Sequence, residues 1–221
     1  MDDLGYSIEA NLVSQAECDS LVETLSYEMH GHGRAGCRHL MSHPRIAALA
    51  NDPRLLQLAK QSLGSGAVPF RATLFQKSAK ANWLVVWHQD TALPLAFHQD
   101  SAEWGPWSKK AGILYAHAPG WALSRVVALR LHLDASTVEN GPLRVIPASH
   151  RHGVLSDESV FETARHEEYV NCLVPRGGVL VMRPLLIHSS SKARTEAPRR
   201  VMHIEYADSL MPDKDTHLAI A

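Results

Sequence analysis

The chain has 221 residues, 45% hydrophobic and 20% charged, enough to bury a sizeable core and most simply arranged as one domain over residues 1–221. A formal net charge of −1 gives no electrostatic reason to expect a nucleic acid or a membrane surface as partner. Three cysteines (Cys18, Cys37, Cys172), odd in number and without a C-x-x-C pair, argue against a disulfide framework and for a reducing cytoplasm.

The start, "MDDLGYSIEANLVS", carries acid where a secretion signal carries base, and no apolar run approaches ~18 residues, so neither a leader nor a membrane span is expected. The first part, about residues 1–66, reads helical. Ser14 with Glu17 makes a capping box ahead of "AECDSLVETLSYEM", in which Leu21, Leu25 and Met29 repeat at helical spacing. Asp52-Pro53 is an N-cap followed by Pro at the first helical position, and Gly64 is placed to end that second helix.

From about residue 67 to 207 the pattern becomes one of short runs rich in β-branched and aromatic residues: "AVPFRATLFQK", "WLVVWHQ", "SRVVALRLHLD", "PLRVIPA", "YVNCLVP", "GGVLVMRPLLIH" and "RRVMHIEYA". Turn signals such as Glu139-Asn140-Gly141 and Arg176-Gly177-Gly178 separate them. In "ALRLHLD" apolar residues alternate with Arg130 and His132, a strand with two unlike faces. Helices followed by many short strands predict a β-sandwich or barrel with a helical flank. Residues 93–123 lack clear periodicity and hold Pro94, Gly105, Pro106, Gly112, Pro119 and Gly120, so they are expected to form an irregular binding loop. Within it Trp104, Trp107, Lys110 and Tyr115 either line a substrate cavity or pack the loop down, with Trp107 and Lys110 the better candidates for substrate contact.

The tripeptide His-Gln-Asp occurs twice, at His88–Asp90 and His98–Asp100. On a strand, residues two apart point the same way, so His88 and Asp90 project together from the end of "WLVVWHQD". A third ligand must come from elsewhere, and His188, ending an apolar run, is the candidate; two His and one carboxylate on one face of an iron(II) ion leave three positions open. Taken alone an H-x-D is weak, and a His on an apolar strand is more often a core imidazole bonded to backbone.

Several segments together resemble the phytanoyl-CoA dioxygenase family of iron(II)- and 2-oxoglutarate-dependent oxygenases. "WHQD" resembles its first metal motif, "HLDASTVENGPLRVIPASHRHG" its "LD…ENG-L-V-PGSH-G" segment, "PRGGVLVMRPLLIHSSS" its distal-histidine strand and "PRRVMHIEY" its last core strand. The resemblance runs from about Phe70 to Ala207. It implies a mainly β fold with flanking α: a double-stranded β-helix (jelly-roll, cupin-like) core with the N-terminal helices packed on one sheet. It also implies a hydroxylase, active on a small molecule, that uses iron(II), 2-oxoglutarate and O2 and releases succinate and CO2. His88, Asp90 and His188 match the metal ligands and catalytic centre. Arg199 matches the Arg that grips the distal carboxylate of 2-oxoglutarate, and Lys77 a second basic contact near that cosubstrate. Arg200 is expected to point the other way. Halogenating relatives have a small residue in place of Asp90, so its presence implies hydroxylation or a related oxidation. Ala148 departs from the family's usual Gly, which is expected to alter a turn. The second His-Gln-Asp copy matches no ligand. A catalytically inactive relative that binds a metabolite, and a cupin-like zinc enzyme, are the competing classes; the intact set of four speaks against the first and Arg199 against the second. A monomer or homodimer is expected.

Overall fold

The computed structural model describes residues 3–28, 36–78 and 81–221. A first strand β1 (Tyr6–Glu9) precedes helix α1 (Gln15–Glu28), a short β2 (Gly36–Cys37), and helices α2 (Pro44–Ala50) and α3 (Pro53–Leu63). The capping box forms as expected: the Ser14 amide donates to Glu17 Oε2 at 2.8 Å and the Glu17 amide to Ser14 Oγ at 3.2 Å. Asp52 Oδ1 accepts from the Arg54 amide at 2.9 Å, and Gly64, at φ 85°, closes α3 by donating to the Lys60 carbonyl. Leu21 and Leu25 are buried, whereas Met29, expected to continue their stripe, lies outside the described residues.

The β part contains β3 (Val68–Lys77), β4 (Val85–His88), β5 (Ala92–Leu95), β6 (Trp107–Lys110), β7 (Ile113–His117), a short helix α4 (Gly120–Leu123), β8 (Val126–His132) and β9 (Leu143–Val145). It continues with helix α5 (Asp157–His166), β10 (Val170–Cys172), β11 (Val179–Met182), β12 (His188–Ser190) and β13 (Arg199–Ala207). The major sheet runs β1-β11-β8-β13-β3-β2 and the minor sheet β10-β9-β12-β4, with every pairing antiparallel. Leu180, Met182 and Ala128 of the major sheet pack on Leu143, Val145 and Cys172 between the two sheets, giving the expected double-stranded β-helix. The outer face of the major sheet carries the largest apolar cluster. There Leu129, Leu131, Met202, Ile204 and Leu74 meet Leu21, Leu25, Ile46 and Leu55 of the helices. Each such fully buried side chain contributes roughly 1.5–3 kcal/mol.

The alternation on β8 has a different meaning from an ordinary half-solvated strand. All seven residues are buried: Val127, Leu129 and Leu131 face the helices, and Ala128, Arg130 and His132 face the barrel interior. Register extends that polar interior across three strands, with Thr73 beside His203 and His203 beside Arg130, and with Arg71 beside Glu205.

Two parts depart from the sequence reading. Residues 93–123 are only in part an irregular loop: β5, β7 and β6 form a third antiparallel sheet, and residues 96–106 between β5 and β6 remain without regular structure. Pro94 is tolerated because β5 pairs with a strand on one side only, and its carbonyl is used on the other, accepting from the Ala219 amide at 3.0 Å. The β6–β7 hairpin turns on Ala111-Gly112, both at positive φ, the conformation two-residue hairpin turns favour but usually advertise as Asn-Gly or Asp-Gly. Helix α5 was not expected, although Ser156 caps it and its ends carry acid then base, as helix termini prefer. Ala148 adopts φ 65°, so the turn that usually holds Gly is kept in the left-handed region at a cost of about 1–2 kcal/mol. No helix among the described residues is long and apolar enough to cross a membrane.

Candidate metal centre

The end of β4 and the start of β12 lie side by side. His88 and His188 are directly paired across the two strands, their ring centroids 4.2 Å apart. Each ring places Nδ1 at 2.8 Å from a backbone carbonyl, Val86 for His88 and Leu186 for His188. A carbonyl only accepts, so Nδ1 carries the proton and Nε2 presents a lone pair. Asp90 comes two residues after His88, its amide bonded to the Pro184 carbonyl at 2.9 Å. Its carboxylate stands 3.8 Å from His88 Nε2 and 3.6 Å from His188 Nε2. One ligand atom from each of the three lies within 4.8 Å of the others, so they surround a point on the order of 2–2.5 Å from each, a metal-bonding distance. Burial, with His88 adding, pulls His188 down to about 3, so it is neutral as a ligand must be.

Gln89, between the two ligands, is a brace. Its amide nitrogen donates to the carbonyls of Gly153 (2.9 Å) and Leu185 (2.8 Å), and its oxygen accepts from the Leu155 amide (2.9 Å). The second copy does nothing similar: the His98 ring lies tilted against Trp107, centroids 4.3 Å apart, and Gln99 bonds Thr216. Among the described residues, His88, Asp90 and His188 form the one cluster of three metal-ligating side chains.

Two cavities adjoin the triad. One, of about 100 Å³, is walled by His88, Asp90 and His188 together with Lys77, Arg130 and Arg199. Register sets Arg199 opposite Lys77 on the inner face of the major sheet. Arg199 Nε donates to the Asn140 carbonyl (3.2 Å) and Nη2 to Ser190 Oγ (3.3 Å), while Lys77 Nζ donates to Ser190 Oγ (2.7 Å) and to the Ser191 carbonyl. Glu139-Asn140-Gly141 is a turn, as expected, held by Asn140 bonds to Thr137 and Ala135; its added use is to orient Arg199. Burial, then Arg199, Arg144 and Arg130, pulls Lys77 down to about 7, and burial with Arg130 pulls Arg199 to about 10. Crowded, desolvated cations of this kind suit an anionic ligand. Arg200 points away and pairs bidentately with Asp134, both contacts 2.7 Å.

The second cavity, about 370 Å³, shares Phe75, His88 and Asp90 with the first and is lined further by Arg38, Arg71, Lys110 and Tyr115. Lys110 thus stands where substrate contact was expected. Trp107 does not line it: together with buried Trp104 it packs against the cluster of Leu93, Leu95 and Leu218, the bland alternative for both. Arg71 and Arg130 were not singled out as site residues. Their signal was strand alternation: Arg71, Thr73, Phe75 and Lys77 share one face of β3.

The profile of the phytanoyl-CoA dioxygenase (PhyH) family matches residues 27–201. The chain belongs to that family. This PhyH member is 28% identical over 186 residues to L-proline trans-4-hydroxylase of Streptomyces griseoviridis, an alignment spanning 72% of this chain and 62% of that relative. Among solved structures it resembles EctD from S. alaskensis with bound Fe (TM-score 0.72, 21% identity, covering 100% of this chain and 78% of that one). It also resembles HygX from Streptomyces hygroscopicus with nickel and 2-oxoglutarate bound (TM-score 0.66, 18% identity, 93% and 84%). At these identities the structural likeness speaks for the fold.

Proposed function

We propose that the whole chain, residues 1–221, is one non-haem iron(II)- and 2-oxoglutarate-dependent dioxygenase that hydroxylates, or otherwise oxidises, a small molecule. The observation that carries this is a His₂–carboxylate triad beside a cavity walled by three basic side chains. Family membership supports it, as do relatives named as a proline hydroxylase and as proteins holding iron, or nickel with 2-oxoglutarate. The donor set fits iron(II): two imidazole nitrogens and one carboxylate on one side of a point, the other side left to cavity.

When bound, the metal supplies Lewis acidity and the redox chemistry that couples decarboxylation of 2-oxoglutarate to oxidation of substrate. The protein supplies position and charge. His88, Asp90 and His188 would hold the ion, and the Val86 and Leu186 carbonyls fix the two imidazoles in the binding tautomer. Arg199 would grip the distal carboxylate of 2-oxoglutarate, with Lys77 and Arg130 compensating its charge and Phe75 and Trp83 limiting water. A zinc hydrolase would use the same triad but has no call for Arg199. A retired, metabolite-binding relative would not need all four groups in place. Three buried cysteines that form no disulfide support a cytoplasmic setting.

Anaerobic addition of iron(II) and 2-oxoglutarate is expected to give a weak visible charge-transfer band, and admission of O2 to give succinate. Absence of both would remove the reading. His98→Ala is expected to retain most of the succinate yield; loss comparable to a His88 substitution would mean that the second copy is the functional one.

A further inference from the structure

The second cavity is the larger of the two at the triad, and its occupant would face His88 and Asp90 directly. Its charges are unbalanced. Of the groups lining it, Asp90 is committed to the metal position and Arg71 to an ion pair with Glu205. Arg38, just after β2, and Lys110, at the end of β6, stand exposed at its rim, and neither has an ion-pair partner among the described residues. They come from opposite parts of the chain and close on one opening. Between them lies Tyr115: the Lys110 ammonium sits 4.8 Å above its ring and His39 Nε2 is 2.9 Å from its hydroxyl. Burial, then Arg38 and Arg71, holds Lys110 below its ordinary value, so the cations work against one another while no anion is present.

Resting on the oxygenase reading above, we propose that this cavity takes a small free carboxylic acid as substrate. Its carboxylate sits on Arg38 and Lys110 and the C–H to be oxidised faces His88 and Asp90. Two free cations against no free carboxylate suit a single carboxylate, which a guanidinium pairs in two parallel hydrogen bonds. A cavity of about 370 Å³ encloses a compact acid but not a coenzyme A thioester, whose acyl group has also lost its free carboxylate to the thioester bond. Binding would bury the two rim charges with their partner, so each contributes more than an exposed surface ion pair does.

The test is calorimetric titration without O2, using the full chain loaded with manganese(II) and saturating 2-oxoglutarate. The probes are the protein L-amino acids, cyclohexanecarboxylate and hexanoate, the methyl esters of those that bind, and phenyl phosphate. At least one free acid is expected to bind at millimolar concentration or better, with its ester at least about tenfold weaker. Arg38→Gln and Lys110→Gln are each expected to weaken that acid by about fivefold or more, leaving 2-oxoglutarate affinity within about twofold, which also shows the variants to be folded. The proposal is overturned if 2-oxoglutarate binds but no acid does. It is equally overturned if esters or phenyl phosphate match the acids, or if acid binding survives both substitutions. Failure of 2-oxoglutarate to bind removes the oxygenase reading instead. The same acid titration on metal-free protein then still decides the rim site, because loss of binding in the Arg38 and Lys110 variants separates it from binding at Arg199.

Discussion

Asp90→Ala is expected to lower turnover by roughly 10³-fold or more, equivalent to ~4 kcal/mol of transition-state stabilisation, because it removes the one anionic ligand. The variant is expected to fold. The Asp90 amide keeps its bond to Pro184, and its carboxylate hydrogen-bonds no other side chain among the described residues, facing the imidazoles of His88 and His188 at 3.8 and 3.6 Å. Metal-linked stability separates loss of the centre from loss of the fold. With metal at about a hundred times its dissociation constant, the wild-type chain gains ~2.7 kcal/mol, a rise of roughly 5–10 °C in melting temperature for a chain of this size. The chelated variant should melt near the chelated wild type and gain almost nothing on metal addition. A normal metal-dependent rise in Asp90→Ala would show that the ion binds elsewhere.

Glu205→Ala is expected to cost about 3–5 kcal/mol, a large part of the roughly 5–15 kcal/mol that holds a typical domain folded. Glu205 is 2% exposed on the inner face of β13, ion-paired to Arg71 and 3.6 Å from His203. Removing it strands a guanidinium left with the Ala92 carbonyl at 3.1 Å and the Tyr115 ring at 5.7 Å. Most of the loss is therefore the penalty of an unpaired buried charge, not the worth of the pair. The double variant Arg71→Met with Glu205→Leu should recover most of it, since two apolar side chains of similar size replace two charges that needed one another. Urea unfolding of the four proteins reads this directly. Additive losses, or a single variant costing under about 1 kcal/mol, would mean that the pair is solvated and the interior less closed than its burial says.

The same interior explains what was legible in the sequence. The triad could be read because its weak local signals, His88 and Asp90 on one strand face and His188 ending an apolar run, fall within ordered motifs that resemble the family's. The helical flank could be read because Ser14–Glu17 and Asp52–Pro53 are chemically specific caps. The third sheet could not, because Pro94 sits where only an edge strand admits it and Ala111-Gly112 lacks the residue that usually marks such a turn. The substrate side of the site was hardest. Arg38 belongs to no periodic pattern, and it meets Lys110 only because β2 adds to the edge of β3 while the β6–β7 hairpin folds back over the triad. Arg71, His203 and Glu205 lay within reach of a simple rule. Once Lys77 and Arg199 are assigned to the barrel interior, every second residue of β3 and β13 goes with them, and the polar ones must find partners there.

The three cysteines have a use in timing how the molecule opens. All are buried, and burial pushes the Cys172 thiol up to about 12, so a soluble alkylating reagent should find almost no reactive thiolate in the closed protein. They differ in their places: Cys18 and Cys37 share the cluster under the helical flank, Cys37 on the two-residue edge strand beside Arg38, and Cys172 lies between the sheets. Labelling followed by mass spectrometry should mark Cys37 first, through local release of β2, and Cys18 and Cys172 together at the slower rate of global unfolding. An acid seated on Arg38 should slow the first event and leave the other two unchanged, so the order of alkylation reports rim closure without any turnover.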